Sequence, residues 1–254
     1  RQMCIKRQAL EACRIAVTYR TPVIMLSDGY LGNGAEPWKV PDLAEIPRID
    51  PRFATEPNTT AADGSPRFMP YRRDPQTLAR PWALPGTKGL EHRVGGLEKS
   101  AHTGAISYDP ANHEEMVATR AAKVKGIAKT IPPTAVDDPS GDADVLVLGW
   151  GSAYGPITAA VRRVRARGLS IAQAHVRHLN PLPEDLGDVL RRYRQIVVPE
   201  MNTGQFAMLL RSKYLIDVKT ISRVRGLPIS PVDLCDELCR HCGDSKGSDD
   251  TREA

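Results

Sequence analysis

Residues 145–155 read Val-Leu-Val-Leu-Gly-Trp-Gly-Ser-Ala-Tyr-Gly, an apolar run that passes into a glycine-rich turn. A continuous apolar run is typical of a strand that is covered on both faces, as in a parallel sheet. Pro156 suits the first turn of a helix over residues 157–167, and Gly168 suits its end. The stretch therefore predicts a strand, a tight turn and a helix in succession, which is the repeating unit of α/β folds.

The same alternation continues beyond Gly168. Predicted strands cover residues 170–176, 195–198 and 218–221, and predicted helices cover residues 184–193, 204–214 and 230–242. Such strict alternation predicts a mostly parallel sheet with helices on both faces. We therefore expect a three-layer α/β/α domain at residues 142–242 and a polar, flexible tail at residues 243–254.

The first 28 residues predict a helix followed by a buried strand. Thr21 and Pro22 end the helix because proline cannot continue it, and the apolar run Val23–Leu26 again suggests a strand covered on both faces. One helix and one strand cannot make a domain. We interpret residues 1–45 as the C-terminal remnant of an α/β domain, in a piece of a longer polypeptide whose other strands lie upstream or in a partner.

Residues 46–141 have the composition of an extended connector. Ten of the 21 prolines fall between Pro37 and Pro85, and glycines continue to Gly104. A structureless loop of this length is unusual inside a compact domain, whereas the aromatic residues along it argue against disorder. We expect an arm that is ordered against a neighbour, with disorder as the alternative, and a helix over residues 112–129 at its end.

The composition limits the classes of protein and partner. The 254 residues carry a net charge of +5 and are 41% hydrophobic, which is close to a soluble globular average. The sequence contains no run of about 18 apolar residues, which a transmembrane helix would need. Its basic residues lack the aromatic neighbours or the motif of a nucleic-acid site. Five cysteines, an odd number, favour reduced thiols. We expect a cytoplasmic protein with no nucleic-acid and no membrane partner.

The turn at residues 149–155 has two interpretations. Its place between a strand and a helix is that of a dinucleotide or phosphate site. Its spacing, Gly-x-Gly-x-x-x-Gly, is one residue longer than the usual fingerprint, and residues 175–178 at the end of the next strand offer no acid to hold a ribose. We favour a tight turn that needs small residues, and a non-catalytic nucleotide-binding module stays open as an alternative.

Three cysteines lie close together near the end of the chain. Cys235, Cys239 and Cys242 form a Cys-x3-Cys-x2-Cys pattern, which formally matches the spacing of a cluster site in radical enzymes. The same offsets place all three on one face of a helix, where a free cysteine is a common small core residue. We therefore predict a buried or partner-facing stripe of a helix and no metal site.

Three groups of residues together carry a resemblance to a known family. The first group resembles the end of the pyrimidine-binding domain in the alpha subunits of 2-oxoacid:ferredoxin oxidoreductases. The second resembles the connector of the 2-oxoglutarate-type members, and the third resembles their next domain, which has the transketolase C-terminal fold. The groups are Thr21–Asn33; then Gly89–His92, Asp109, Pro110, His113, Met116, Arg120 and Lys123; then residues 145–155, 180–183 and 198–205.

The resemblance implies thiamine-diphosphate-dependent oxidative decarboxylation of a 2-oxoacid, with coenzyme A accepting the acyl group. It also implies that electrons pass to ferredoxin, and that a beta subunit carries a [4Fe-4S] cluster and the site for the diphosphate and Mg²⁺. The activating glutamate and the substrate-binding threonine would lie upstream of Arg1, in the missing N-terminal part of the alpha subunit. We therefore assign no catalytic residue and expect a mainly structural chain in a hetero-oligomer with two copies of each subunit.

Two short segments supply candidate residues for cofactor binding or for the subunit interface. Cofactors of open α/β sheets bind outside the carboxyl ends of the strands, which for the first predicted strand gives Asp28, Gly29 and Tyr30. The alternative is that Asp28 only bonds local backbone amides. Glu91 and His92 form a polar pair in the glycine-rich arm, from which a partner's pocket is within reach.

Two other functions stay open. A transketolase-like enzyme or a 2-oxoacid dehydrogenase component would use lipoamide and a lipoyl-domain partner. The nucleotide-binding module built on residues 149–155 would have no catalytic role, and binding of a labelled nucleotide would distinguish it.

Overall fold

The structure is a computed structural model that describes residues 2–34 and 41–247. The α-helices in these ranges are α1 (Gln2–Tyr19), α2 (Gly29–Gly32), α3 (Pro110–Gly126), α4 (Tyr154–Ala166), α5 (Leu186–Arg191), α6 (Gln205–Tyr214) and α7 (Pro231–Gly247). The strands are β1 (Phe53–Ala54), β2 (Thr59–Thr60), β3 (Pro66–Arg67), β4 (Trp82–Ala83), β5 (Val136–Asp137), β6 (Val145–Trp150), β7 (Ala172–Val176), β8 (Gln195–Glu200) and β9 (Val218–Ser222). None of these helices is long and apolar enough to cross a membrane.

The chain divides into two compact units. The first unit consists of Arg1–Met25 and Glu36–Ala128, and the second consists of Leu26–Ala35 and Lys129–Ala254. The division groups the short segment that contains the candidate Asp28 with the large α/β region. Each unit is described by itself below.

The first unit is built from two long helices and a mostly irregular connection. Ile15 and Tyr19 of α1 form a small buried cluster with Ile127, which follows α3 directly. The predicted helix of the arm is confirmed as α3, and Asp109 caps it because its carboxylate accepts a hydrogen bond from the amide of Ala111 at 3.0 Å. Between the helices, β1 pairs with β4 in parallel and β2 pairs with β3 antiparallel.

The second unit contains the predicted sheet. Its five strands have the order β5-β7-β6-β8-β9, and every pair is parallel except the pair of β5 with β7. The expected α/β fold with a mostly parallel sheet is therefore confirmed. The antiparallel edge strand β5 was not anticipated, because two residues are too few to show a periodic pattern.

The central strand β6 explains why its sequence is apolar at every position. Val145 and Val147 pack on one face, in a core with side chains of α4 and α7. Leu146 and Leu148 pack on the other face, with side chains of α5 and α6. Successive side chains of a strand point to opposite faces, so a strand between two helical layers buries them all.

The prediction of a buried strand at Val23–Leu26 depends on neighbouring strands expected upstream or in a partner, and it stays a prediction. These residues are extended without assignment to a strand, and Ile24 is 85% exposed and Leu26 66% exposed. None of the described strands pairs with the segment. An apolar strand is buried where neighbouring strands and helices cover it, and the described residues supply no such neighbours for this segment.

The limits of several helices differ from those predicted, among them the start of α4 and the end of α7. Helix α4 begins at Tyr154, three residues before the predicted start, because a short 3-10 turn at Gly151–Ala153 leads directly into it. Helix α7 continues to Gly247 rather than ending at Cys242.

Candidate functional site

The carboxyl ends of β6, β7 and β8 form one edge of the sheet in the second unit, where ligands of open α/β folds bind. The strands end there at Trp150, Val176 and Glu200. The chain then turns from β6 into α4 through Ser152, and from β8 into α6 through a loop that includes Gly204. We therefore take this edge as the candidate site.

Glu200 is a buried carboxylate at this edge, only 1% exposed. Its Oε1 accepts a hydrogen bond from the amide of Ala207, and its Oε2 accepts one from the amide of Phe206, both at 3.0 Å. The indole Nε1 of Trp150 donates a further bond to Oε2 at 3.3 Å. The two amides belong to the first turn of α6, where a helix favours a negative charge. Glu200 therefore joins β6, β8 and α6 at one point.

Gly149 lets β6, β7 and α4 approach closely. A Cβ at this position would lie 2.6 Å from Cδ1 of Ile157 and 3.2 Å from Nδ1 of His175. The first distance is shorter than real Cβ atoms adopt, so a side chain here would displace the buried end of Ile157. Gly151 is required for a different reason, since its φ of +57° lies in the left-handed region.

His175 has a buried ring nitrogen close to Gly149. Its ring meets the Tyr154 ring edge-on, with centroids 5.0 Å apart. Its Nδ1 is buried without a hydrogen-bond partner among residues 2–34 and 41–247. Burial, followed by the positive charge of Arg177, lowers the pKa of His175 from 6.5 to about 4. The imidazole is therefore neutral at physiological pH.

Asp28 meets the candidate site through a side-chain contact. The hydroxyl of Ser152 donates a hydrogen bond to Oδ2 of Asp28 at 2.7 Å. Asp28 is half-buried and begins the short segment that continues into α2. A phosphate bound at the turn around Ser152 would be repelled by this carboxylate. The contact therefore disfavours the nucleotide-binding interpretation of residues 149–155.

The two other candidate residues of this segment, Gly29 and Tyr30, follow Asp28 directly. Gly29 is exposed, and a Cβ added there would meet no atom within 4 Å among the described residues. Gly29 begins α2, which also contains Tyr30. The side chain of Tyr30 lies outside what the structure describes.

Glu91 and His92 lie in the first unit. Glu91 is exposed, and His92 is half-buried with its ring edge-on to Phe68 at a centroid distance of 5.3 Å. The Nδ1 of His92 lies 2.8 Å from the carbonyl oxygen of Leu90. Because a carbonyl only accepts, Nδ1 carries the proton and Nε2 of the neutral ring is an acceptor. The ring is thus held in one orientation by its own loop.

The three clustered cysteines pack as part of the core. Cys235 and Cys242 are buried with Leu234 and Leu238 against the face of the sheet that α4 covers. Cys239 is half-buried. In the parts of the chain that the structure describes, no three His, Cys, Asp or Glu residues are arranged to hold a metal ion. The helix-stripe interpretation of these residues agrees with this packing.

Sequence reasoning missed Glu200 and His175 as members of this edge, and treated Ser152 only as a turn residue. An available signal for Glu200 is a carboxylate at the end of an apolar strand and four residues before a glycine that opens a helix. His175 gave no such signal, because a histidine within a strand is common and its burial depends on Gly149 of the neighbouring strand.

Comparison with known proteins gives three consistent matches. Residues 143–234 match the family described as Pyruvate:ferredoxin oxidoreductase core domain II. Over 232 residues the chain is 53% identical to 2-oxoglutarate oxidoreductase subunit KorA of Mycobacterium tuberculosis, which covers 91% of this chain and 33% of that protein. It is 30% identical over 208 residues to the alpha subunit of 2-oxoacid:ferredoxin oxidoreductase 1 of Aeropyrum pernix, covering 80% of this chain and 31% of that protein.

A solved structure matches over nearly the same extent. It is a 2-oxoglutarate:ferredoxin oxidoreductase from Magnetococcus marinus with 2-oxoglutarate, coenzyme A and succinyl-CoA bound. The TM-score is 0.77 at 29% identity, and the match covers 90% of this chain and 39% of that one. The chain spans about a third of the length of the two curated relatives named above.

Proposed function

Because the chain belongs to the family of alpha subunits of 2-oxoacid:ferredoxin oxidoreductases, we propose that its enzyme oxidatively decarboxylates a 2-oxoacid of the 2-oxoglutarate type. Coenzyme A accepts the acyl group and ferredoxin accepts the electrons. The observation that carries the proposal is the 53% identity to a 2-oxoglutarate oxidoreductase subunit over nine-tenths of this chain. The bound 2-oxoglutarate, coenzyme A and succinyl-CoA named for the Magnetococcus structure give it further support.

The contribution of this chain is mainly structural, at the subunit interface. The contact between Ser152 and Asp28 supports the structural part of this role, since it holds the segment before α2 at the carboxyl edge of the sheet. The division into segments at residues 45, 141 and 242 stays a prediction, as do Asp28, Gly29, Tyr30, Glu91 and His92 as cofactor-binding or interface residues. The partners are a beta subunit and the rest of the alpha subunit, two copies of each, in the cytoplasm.

The described residues do not fit the inorganic cofactors of this chemistry. Thiamine diphosphate supplies the decarboxylation step when bound, and it needs Mg²⁺ at its diphosphate. The described part of the chain assembles no carboxylate or thiolate set for Mg²⁺ or for a [4Fe-4S] cluster, and Cys235 and Cys242 are turned into the core. The proposal therefore assigns these groups to the partner subunit and derives no step through them here.

The test is turnover of the assembled enzyme with omission of each component. Reduction of ferredoxin should require both 2-oxoglutarate and coenzyme A, and it should produce succinyl-CoA. Lipoamide should not replace coenzyme A; if it does, the dehydrogenase alternative is correct. Activity with a nucleotide but with no 2-oxoacid would contradict the proposed reaction.

The role of Asp28 is tested in the same assay. Asp28→Ala should lower 2-oxoacid-dependent turnover by more than its effect on the melting temperature explains. The matched control is Asp188→Ala, which removes an exposed carboxylate of the same unit. Equal turnover of the two fully assembled variants would limit Asp28 to a structural role.

A further inference from the structure

Two of the three clustered cysteines of α7 are in contact with each other. Cys235 and Cys239 are one helical turn apart, and their thiols share a hydrogen bond. Cys235 is fully buried, whereas Cys239 is half-buried. We call these two side chains the thiol pair. The pair therefore has one member that a small solute reaches from solvent and one that is shielded from it.

Arg167 places a positive charge beside the accessible member of the thiol pair. It follows α4 directly, and its Nη1 donates to Sγ of Cys239 at 3.4 Å and to Oδ1 of Asp236 at 2.8 Å. The bond to Asp236, followed by the bond to Cys239, raises the pKa of Arg167 above its usual value, so the group stays cationic. A cation beside a thiol favours the thiolate, which is the nucleophilic form of cysteine.

The two thiols differ in how readily they lose a proton. Burial, followed by the charge of Cys239, raises the pKa of Cys235 above its usual value, and Arg167 opposes that shift only in part. Cys235 therefore stays protonated while Cys239 supplies the thiolate. The attacking sulfur and the thiol held beside it are thus two defined residues.

The geometry of the helix sets how the thiol pair can be joined. Residues four apart in an α-helix have Cα atoms about 6 Å apart, which lies within the range of disulfides. Their Cβ atoms are about 5–6 Å apart, whereas a disulfide needs about 4 Å. A bond between Cys235 and Cys239 therefore distorts one turn of α7, and strained disulfides of this kind are reduced easily.

We propose that Cys235 and Cys239 form a reversible disulfide when a peroxide oxidises Cys239. The Cys239 thiolate attacks one peroxide oxygen, so that an S–O bond forms, the O–O bond breaks and hydroxide leaves. The sulfur of Cys235 then attacks the sulfenic acid, so that the S–S bond forms, the S–O bond breaks and water leaves with the Cys235 proton. Two thiols and one hydrogen peroxide thus give one disulfide and two waters.

The disulfide should loosen the end of α7. It closes a loop of only a few residues, which adds little stability. The distorted turn contains Leu238, which is fully buried in the core that α7 shares with α4. We therefore expect oxidation to lower the melting temperature and dithiothreitol to restore it.

The test is treatment of the assembled enzyme with a small excess of hydrogen peroxide, then alkylation of the remaining thiols and mass spectrometry of the peptides. The disulfide between Cys235 and Cys239 should form, and dithiothreitol should reverse it. The exposed Cys13, measured in the same sample, is the reference thiol and should react more slowly. Arg167→Gln should slow the oxidation of Cys239 roughly threefold or more. The matched control Arg163→Gln, which removes an exposed arginine of the same helix, should leave the rate unchanged.

Cys235→Ala separates the two steps of the oxidation. In this variant Cys239 should stop at the sulfenic acid, which dimedone traps, whereas the wild type should give little dimedone adduct. The inference is overturned if Cys13 is oxidised before Cys239, if the wild type accumulates sulfenic acid in place of the disulfide, or if Arg167→Gln reacts at the wild-type rate.

An oxidised wild type with an unchanged melting temperature would contradict the distortion of α7. Should Arg167→Gln not assemble, the wild type and Cys235→Ala decide by the same criteria. None of these measurements depends on turnover, so their outcome is independent of the proposed reaction.

Discussion

The hydroxyl of Ser152 donates a 2.7 Å hydrogen bond to the carboxylate of Asp28, joining residues 124 positions apart in the sequence. Ser152 lies in the turn after the central strand β6, so the bond connects the segment before α2 to the end of a strand that is buried on both faces. Hydrogen bonds to charged groups are worth more than neutral ones. We therefore expect the bond to make a measurable contribution to the free energy of unfolding.

Removing Ser152 or Asp28 from this hydrogen bond should lower stability, and removing the second residue as well should cost less than it does in the wild type. We expect Ser152→Ala and Asp28→Ala each to lower the free energy of unfolding, with a coupling energy of about 1 kcal/mol between the two sites. Urea unfolding of the four proteins measures this coupling. Ser152→Thr keeps the hydroxyl and is the control, which should retain the coupling. Additive effects of the two single variants would mean that the bond contributes nothing.

Glu200 should be among the most sensitive polar residues of the second unit. Glu200→Ala leaves the amides of Phe206 and Ala207 and the indole of Trp150 without their acceptor, and we expect a loss of about 3 kcal/mol. Denaturant unfolding measures the loss. The exposed Glu184→Ala is the control and should change stability by less than about 0.5 kcal/mol. A Glu200→Ala protein as stable as this control would contradict the role of the buried carboxylate.

His175 should make stability fall as the pH is lowered. Well above pH 6.5 the imidazole is neutral in both states, so it adds no pH dependence there. Between pH 6.5 and about 4 the unfolded chain binds a proton that the folded chain does not, so stability falls, by at most about 3 kcal/mol in total. Urea unfolding of wild type and His175→Phe at pH 7.5, 6 and 5 measures the difference. The variant should lose less stability on acidification, and parallel curves would refute the assignment.

The elements that could be predicted from sequence are those whose structure depends on residues close to them in the chain. Val145–Leu148 is predicted as a buried strand because burial on both faces leaves an unbroken apolar run. Val23–Leu26 has the same composition, and it is exposed among the described residues because none of the described strands pairs with it. The composition of a segment thus predicts its tendency to form a buried strand, but it does not predict which strands pair with it.

For the same reason, single residues of the candidate site could be predicted from sequence, but the contacts between them could not. Asp28 could be proposed from its place after an apolar run, but its partner Ser152 could not, because the two are far apart in sequence. Glu200 is buried only because Trp150 and the first turn of α6 supply donors. Long-range pairs of this kind appear only when the fold brings their elements together.

The cysteines of α7 should act as core residues and not as ligands. Cys235→Ala and Cys242→Ala each remove a buried sulfur, so each should lower the free energy of unfolding by about 1 kcal/mol. The exposed Cys13→Ala is the control and should be close to neutral. Iron content and visible absorbance of the assembled enzyme should stay unchanged in the triple variant that also contains Cys239→Ala. Loss of a stoichiometric amount of iron would instead assign these thiols to a cluster.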